Sequence, residues 1–356
     1  MKNLLLVLSV FLMASCGSED NGADKMKQID QIFSVYNSED MPGAALMIIQ
    51  DGEPILQKGY GIANFEQNLP VTSKTNFRLA SVTKEFTSMS ILQLIEKGQL
   101  SLATTLTDIF PDFPAYGQAI TIKHLLQHTS GIWDYEDMVP SSQTAQVKDK
   151  DVLNYMMGIE KTYFPVGEKY QYSNTAYAVL TQVLEKITGQ PFRDYLQANI
   201  FVPLEMTNTL AYENGINEVP NRAFGYTIEN EEILLTDQSR FSAVLGDGGI
   251  YTNLDDLYKW DQALYTEKLI SKKYLDMAFS NQRNNAGEVI DYGYGWRIEN
   301  YKGMDILYHT GSSIGFRTIL YRIPANNFTA VILTNRDQGG EFSTLDTVHK
   351  VVDLYY

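Results

Sequence analysis

The stretch NFRLASVTKEFTSMSILQLIEKG, residues 76–98, decides the fold and the chemistry expected of this chain. Its first five residues are typical of a short extended segment. The apolar periodicity that follows predicts a helix that begins at Ser81 and ends at Gly98. Ser81 and Lys84 are three residues apart, so a helix places both side chains on one face. There the amine can help to deprotonate the hydroxyl, and the backbone N–H groups of the first turn are free. The segment therefore predicts a serine nucleophile activated by lysine.

Two further motifs follow along the chain. Tyr172-Ser-Asn174 precedes a predicted helix over 176–188, and His309-Thr-Gly311 lies in a strand-rich C-terminal part. The tyrosine can carry a proton, and a Thr-Gly strand offers a backbone edge along which a substrate can pair. Ser-x-x-Lys and His-Thr-Gly each occur once, whereas Tyr-x-Asn recurs elsewhere. Because single motifs are weak signals, the prediction depends on their order and context, which indicate an acyl-transferring serine enzyme without a His-Asp pair.

Several more segments complete a resemblance to a known family. They are 125–131 (LLQHTSG), 172–177 (YSNTAY), 203–206 (PLEM), 246–249 (GDGG) and 309–316 (HTGSSIGF). Over about residues 40–335 the sequence resembles the serine β-lactamase-like or penicillin-binding family. The branch that it resembles best holds class C β-lactamases, DD-carboxypeptidases, D-aminopeptidases and related esterases. The resemblance implies a hydrolase that works through an acyl-enzyme and leaves the substrate open.

The chemistry of the residues and the resemblance together assign roles. Ser81 is expected to be the nucleophile. Lys84 and Tyr172 would exchange its proton, and which of them is the general base stays open because their titrations would be coupled. The resemblance implies an oxyanion site at the backbone N–H groups of Ser81 and Ser312, and an Asn174 that holds Lys84 and the substrate amide. The expected substrate-binding residues are Asn174, His309, Thr310, Gly311 and Ser312. No cofactor and no metal are expected.

His309 departs from the β-lactamase form of its motif, in which a lysine places a full positive charge near the substrate carboxylate. An unperturbed histidine is only partly charged at neutral pH. His-Thr-Gly does occur in DD-peptidases and esterases of the resembled branch. We therefore expect catalysis but not efficient β-lactam hydrolysis, and a D-amino acid peptide, a small ester and a β-lactam remain the alternatives for the substrate.

Residues 1–15 are expected to be a lipoprotein signal peptide. A single lysine, Lys2, precedes an apolar stretch that is too short to span a bilayer. Ala14-Ser15-Cys16 resembles a bacterial lipobox, which implies lipidation of Cys16, with residues 16–28 as a polar tether. The other interpretation is ordinary signal cleavage with Cys16 as a bystander. Cys16 is the only cysteine, so the exported domain has no disulfide to rely on. We expect a lipid-anchored protein of the bacterial cell envelope.

The order of the remaining elements predicts an α+β fold. Residues 29–356 would form one catalytic domain, in which an antiparallel sheet is built from both ends of the chain and flanked by helices. An all-helical region of about residues 100–240 would be inserted between the ends, and the active site would lie in the cleft between the two parts. The predicted elements are a helix over 25–36, strands over 44–50, 55–60, 294–297, 305–309, 316–323 and 329–333, and a closing helix over 344–355.

Composition narrows the partners and the class of protein. A chain of 356 residues with 44% hydrophobic residues can bury a large core. Its net charge of −15 argues against nucleic acid and against anionic membrane surfaces as ligands. We expect a monomer whose partners are its small-molecule or peptide substrate and, through the lipid on Cys16, the membrane. A second class of function stays open, a penicillin-binding or sensor lipoprotein that is acylated without turnover.

Two other motifs are interpreted as coincidental. Gly311-Ser-Ser313-Ile-Gly315 matches the nucleophile elbow of α/β-hydrolases, and Asp337 and His349 follow in the right order. Ser313, however, lies close to the C-terminus, and a strand rather than a helix is expected to follow it. His124 and His128 are four residues apart on a predicted helix, but the glutamate of His-Glu-x-x-His is absent and no third ligand is evident.

Overall fold

The fold is organised around a six-stranded antiparallel sheet. The computed structural model describes residues 19–337 and 343–356. The strands of this sheet are β1 (Ala44–Gln50), β2 (Glu53–Tyr60), β3 (Arg297–Tyr301), β4 (Met304–Ser313), β5 (Phe316–Ile323) and β6 (Phe328–Thr334). Their order is β3-β4-β5-β6-β1-β2, and each neighbouring pair is antiparallel. The sheet therefore joins the two ends of the chain, which confirms the predicted α+β class.

Both faces of the sheet are covered by helices. The helices are α1 (Glu19–Ile32), α2 (Thr83–Glu96), α3 (Leu106–Ile109), α4 (Ile122–Leu126), α5 (Asp149–Met157), α6 (Asn174–Thr188), α7 (Phe192–Leu196), α8 (Leu245–Gly248), α9 (Leu254–Ala263), α10 (Lys272–Ala278) and α11 (Thr344–Val352). Helices α1 and α11 share a core with one face of the sheet. The helices between the two ends of the sheet build the larger core against its other face.

Strand β1 contributes side chains to the hydrophobic cores on both faces of the sheet. Ala44, Leu46 and Ile48 lie in the core of the terminal helices, and the alternating side chains from Ala45 to Ile49 lie in the larger core. Successive side chains of a strand point to opposite faces, so a strand that is covered on both sides must be apolar throughout. The continuous apolar run of β1 therefore reflects its position between the two cores.

Two elements near the active site differ from their predicted bounds. The helix expected to begin at Ser81 begins at Thr83, and Ser81 lies in a 3₁₀ turn, Ala80–Val82, that precedes it. The strand predicted over 294–297 begins only at Arg297. Gly295 explains the second difference, because its φ of 85° turns the chain, and a Cβ there would lie 2.8 Å from the carbonyl oxygen of Lys84. Residues 294–296 therefore pack on α2 instead of joining the sheet.

The inserted region is mostly helical, but it also contains strands, so its description as all-helical is too simple. Short strands lie at Leu210–Ala211, Tyr226–Glu229 and Glu232–Leu235. They pair with segments from outside the region. The first joins Phe77–Arg78 and Ile250–Thr252, and the other two join Arg336–Asp337. Two small hairpin-like pairs complete the strands, Ile62–Asn64 with Leu69–Pro70 and Gln282–Arg283 with Val289–Ile290.

The predicted signal peptide and the predicted lipidation site at Cys16 lie outside the described residues. Within residues 19–337 and 343–356, none of the helices has the length and apolar character that a bilayer span requires.

Candidate active site

Ser81 lies in a tight turn between a short strand and a helix. The strand Phe77–Arg78 leads into the 3₁₀ turn Ala80–Val82, which continues into α2. Ala80 has a φ of 49°, a left-handed conformation that costs a non-glycine residue on the order of 1–2 kcal/mol. Such strain persists only where the surrounding structure holds it. The turn presents the half-buried side chain of Ser81 at the N-terminal end of α2, three residues before Lys84.

Lys84 is fully buried, and its ammonium group contacts three oxygen atoms. Nζ donates to Ser81 Oγ at 3.1 Å, to Asn174 Oδ1 at 2.9 Å and to the backbone carbonyl of Asp247 at 2.8 Å. None of these three acceptors is a carboxylate. Burial therefore dominates and lowers the pKa of Lys84 to about 8, although the nearby carboxylates of Asp247 and Glu136 act against it. One pH unit below that value about a tenth of Lys84 is a neutral amine in contact with the Ser81 hydroxyl.

Tyr172 lies near Lys84, as expected if both residues take part in catalysis. Its hydroxyl oxygen is buried and has no hydrogen-bond partner that meets ordinary geometry within the described part of the chain. Burial raises the pKa of the Tyr172 phenol, while the neighbouring Ser81 hydroxyl and the Arg297 guanidinium lower it. Lys84 Nζ lies 5.0 Å from the centroid of the Tyr172 ring. The structure therefore brings Ser81, Lys84 and Tyr172 together, with the phenol in its neutral form.

Asn174 is held by the start of α6. Ser173 caps this helix, since its Oγ accepts from the backbone N–H of Ala176 at 3.1 Å. The next residue, Asn174, accepts from Lys84 through Oδ1 and donates through Nδ2 to Glu136 Oε1 at 3.3 Å. The cap therefore orients the Asn174 side-chain amide, which links Lys84 to Glu136.

The His309-Thr-Gly311 segment lies on β4, in a part of the strand that has a neighbour on only one side. The last pair between β3 and β4 is Arg297 with Tyr308, whereas β4 and β5 remain paired as far as Ser313 with Phe316. Residues 309–313 thus present an open backbone edge, as the sequence predicted. Gly311 is needed here because a Cβ would lie 2.2 Å from the carbonyl oxygen of Leu79. This close approach places the open edge beside the turn that carries Ser81.

His309 itself does not face the substrate in the way the sequence suggested. The side chain is 1% exposed. Nδ1 lies 2.7 Å from the carbonyl oxygen of Thr310, which can only accept, so Nδ1 carries the proton and Nε2 accepts from the Tyr292 hydroxyl at 3.1 Å. Burial and the nearby charge of Lys84 hold the pKa of His309 well below its usual range. The expectation of a partly charged imidazole near a substrate carboxylate is therefore wrong, since His309 is a buried neutral group with two protein partners.

A small cavity of about 60 Å³ lies in front of Ser81. Its walls include Arg78, Ser81, Glu136, Asn174, Asp247 and Ser312. Larger cavities occur elsewhere, such as one of about 680 Å³ lined by Tyr212 and Arg222, but Ser81 does not line that one. The cavity at Ser81 is therefore where a reacting carbonyl group can meet the nucleophile.

Charges around the cavity are divided between two sides. Asp134, Glu136 and Asp247 lie on the side of Asn174, and the pKa of each carboxyl is raised, mainly by burial. Asp247 is fixed by the Tyr135 hydroxyl, which donates to its Oδ2 at 3.0 Å. On the side of Tyr172, the Arg297 guanidinium lies 5.6 Å from the ring centroid of Tyr172. The side of Asn174 therefore forms an acidic wall. Arg78 also lines the cavity near Asp247 and lowers the pKa of that carboxyl, whereas Arg297 lies beside Tyr172 and does not line the cavity.

Sequence reasoning missed most of these surrounding groups, although part of the signal was present. Asp247 and His128 belong to the GDGG and LLQHTSG segments, which contributed to the resemblance without any assigned role. Glu136 and Arg297 carry no local pattern that would have marked them. Their positions beside Asn174 and Tyr172 depend on long-range packing, which periodicity alone does not reveal.

The two alternative motifs are separated by the fold. Ser313 ends β4 and is followed by β5, not by a helix. His349 belongs to α11 and stacks on Tyr301 at a centroid distance of 3.8 Å, so it lies with the terminal helices. His124 Nδ1 bonds Thr121 Oγ1 at 3.0 Å, whereas His128 Nδ1 accepts from the backbone N–H of Ser173. The two imidazoles therefore have separate protein partners.

Comparison with known proteins agrees with this arrangement. A family model described as Beta-lactamase matches residues 24–353. The chain is 30% identical over 335 residues to penicillin-binding protein 4* of Bacillus subtilis, which covers 90% of this chain and 74% of that protein. Other curated relatives are longer, and the chain spans 63% of their length.

Solved structures have the same fold. An octameric penicillin-binding protein homologue from Pyrococcus abyssi superposes with a TM-score of 0.80 at 25% identity, over 94% of this chain and 77% of that one. A D-amino acid amidase from Ochrobactrum anthropi, solved in complex with L-phenylalanine amide, gives a TM-score of 0.79 at 23% identity, over 93% and 98% of the two chains. At the latter identity the likeness concerns the fold alone.

Proposed function

Because this chain belongs to the beta-lactamase family and is a serine hydrolase, we propose that it cleaves an amide or ester bond through an acyl-enzyme on Ser81. The observation that carries the proposal is the contact between Ser81 Oγ and a buried Lys84 amine whose pKa is lowered to about 8. A nucleophile that lines a small cavity thus contacts a buried group that can accept its proton, and Ser312 and Ser313 of the open strand edge line the same cavity.

In the acylation step, Ser81 Oγ attacks the substrate carbonyl and loses its proton to the neutral amine of Lys84. The new C–O bond gives a tetrahedral oxyanion, and its collapse breaks the bond to the leaving group. The leaving group takes a proton from Tyr172, and Tyr172 takes the proton that Lys84 removed from Ser81. A raised pKa keeps Tyr172 protonated, which favours Lys84 as the base and Tyr172 as the donor. The developing oxyanion would lie at the backbone N–H groups of Ser81 and Ser312, which flank the cavity. Water then hydrolyses the ester by the reverse proton path.

The division of charge favours one kind of substrate among the three alternatives. Asn174 and Glu136 lie on the side expected to hold the acyl part, so a free ammonium group there would be attracted to the acidic wall. The Arg297 cation lies on the side of Tyr172, from which the leaving group would be protonated. We therefore favour an acyl donor derived from an amino acid with a free amino group, in a peptide, amide or ester, over a β-lactam.

A panel of chromogenic substrates tests this function. D-alanine p-nitroanilide should be hydrolysed faster than its N-acetyl derivative and faster than nitrocefin. Ser81→Ala should abolish hydrolysis, whereas Ser313→Ala should stay within about tenfold of the wild type. The isosteric change Glu136→Gln should reduce the preference for the free amine about two- to fivefold, since an exposed charge contact contributes about 0.4–1 kcal/mol. Acylation without release of product would instead support the penicillin-binding or sensor alternative.

We further propose that the protein is anchored to a membrane of the cell envelope by lipid on Cys16. Support comes from the lipobox-like Ala14-Ser15-Cys16 after a short apolar segment. Cys16→Ser should release the protein from the membrane fraction while the specific activity of the released protein stays unchanged, because the residues that line the cavity at Ser81 all lie between Arg78 and Ser313. Residues 19–28, which were predicted to belong to the tether, instead form part of α1. Equal labelling of wild type and variant by an alkyne palmitate analogue would contradict the anchor.

A further inference from the structure

One residue binds the backbone on both sides of Tyr172. The carbonyl oxygen of His128 accepts from the N–H of Gln171 at 2.8 Å, and its Nδ1 accepts from the N–H of Ser173 at 3.1 Å. The N–H groups of the two residues that flank Tyr172 are therefore bound by a single partner. Two bonds of this kind leave the Tyr172 backbone little freedom to rotate, so they restrict where its side chain can point.

The imidazole ring of His128 also contacts the ring of Tyr172. The centroids of His128 and Tyr172 are 4.4 Å apart with an interplanar angle of 34°. On its other sides the imidazole meets Tyr292 at 4.7 Å and Tyr177 at 5.0 Å. His128 is fully buried, so this packing has no room for alternative rotamers. The phenol is thus supported through its face as well as through its backbone.

His128 has an unusual backbone conformation. It follows α4 with a φ of 58°, a left-handed conformation that few residues other than glycine and asparagine adopt readily. This conformation lets one residue offer its carbonyl group to Gln171 and its side chain to Ser173. Since Nδ1 accepts a hydrogen bond, the proton lies on Nε2, which is buried and has no hydrogen-bond partner within the described residues. The imidazole is therefore neutral.

We propose that His128 is a positioning residue of the active site, which holds the Tyr172 hydroxyl in line with Ser81 through its two backbone contacts and its ring. It makes no contact with the reacting atoms and acts through Tyr172. The inference rests on the proposed function only in that Tyr172 must take part in acylation. It also gives a role to the LLQHTSG segment, which the mechanism otherwise leaves unused.

Three variants separate positioning from a merely structural role. His128→Phe keeps a ring but removes the acceptor for the Ser173 N–H. His128→Asn removes the ring but keeps an acceptor at the equivalent bond distance from Cα, and asparagine tolerates the left-handed backbone. Tyr172→Phe removes the hydroxyl that His128 is proposed to place. The measured quantity is the rate of covalent labelling of Ser81 by a fluorescent fluorophosphonate, with the folded fraction of each variant determined by thermal unfolding.

We expect His128→Phe to slow labelling about 100-fold in the wild-type background, because a shift of about 1 Å in a catalytic group can cost that much. His128→Asn should be labelled at least tenfold faster than His128→Phe. In the Tyr172→Phe background, the same His128→Phe change should cost less than about threefold, since the group to be positioned is gone.

Equal losses in both backgrounds would overturn the proposal, as would an Asn variant no better than the Phe variant. If His128→Phe does not fold, His128→Ala replaces it. Its loss of labelling rate is then compared between the wild-type and Tyr172→Phe backgrounds, and its rate is compared with that of His128→Asn. Wild-type protein that is not labelled at Ser81 would contradict the proposed function instead, so the two failures are distinguishable.

Discussion

Lys84 and Arg322 are both buried cations, yet their surroundings give them opposite properties. Arg322 on β5 is 1% exposed and pairs through Nε with Asp261 Oδ1 of α9 at 2.7 Å. Lys84 is equally buried, but its three bonds go to a hydroxyl, an amide and a backbone carbonyl. An arginine stays protonated in proteins and here has a counter-charge in Asp261, whereas a buried lysine without a carboxylate partner shifts its pKa toward neutrality. Burial alone thus does not mark a functional cation, and the nature of its partners does.

The strongest test of this contrast exchanges the titratable cation for a permanent one. Lys84→Arg keeps the positive charge but removes the neutral amine, because arginine does not deprotonate in proteins. We expect hydrolysis to fall on the order of 10³-fold, within the range typical for loss of a general base. The free energy of unfolding, measured by urea titration, serves as the control for folding. Retention of activity within tenfold would show that Lys84 acts only through its charge.

Removal of the Asp261 charge, which pairs with Arg322, should lower the stability of the protein and leave its catalytic activity unchanged. Asp261→Asn leaves the Arg322 guanidinium buried without its counter-charge, which should lower the free energy of unfolding by about 3–5 kcal/mol. The exposed pair Lys302–Asp353 provides a matched control, since Asp353→Asn should cost less than about 1 kcal/mol. Activity per folded molecule should be unchanged in both variants. A loss of activity in folded Asp261→Asn protein would mean that the pair is coupled to the site.

The pH dependence sharpens the contrast further. With a pKa of about 8 for Lys84, kcat/KM should rise about tenfold per pH unit below that value and level off above it. Stability should respond as well. The folded pKa of Lys84 lies below its unfolded value of about 10.5, so the unfolded state binds more protons between pH 8 and 10.5. Relative to Lys84→Met, the wild type should therefore gain stability over that range. The free energy of unfolding of both proteins would be measured from pH 8 to pH 10.5. A difference between the two proteins that stays constant over this range would contradict the lowered pKa of Lys84.

Local sequence predicted most strands of the main sheet and the start of the closing helix, and it selected Ser81, Lys84 and Tyr172, which the structure brings together, because periodicity and short motifs are local properties. Two features escaped it for different physical reasons. Ser81 lies in a 3₁₀ turn before α2 because the strained Ala80 delays the start of the helix. His309 was expected to face the substrate from its motif position, but its burial and its bond to Tyr292 depend on tertiary packing. The charges of Glu136 and Arg297 around the cavity likewise arise only once distant segments meet.

The most direct test of the central claim is peptide mass spectrometry of the protein after reaction with a fluorophosphonate and, separately, with a penicillin. The structure predicts one covalent adduct, on the peptide that contains Ser81, and its disappearance in Ser81→Ala, with the adduct retained in Ser313→Ala. An adduct on Ser313, or labelling that persists in Ser81→Ala, would contradict the assignment of Ser81 as the nucleophile.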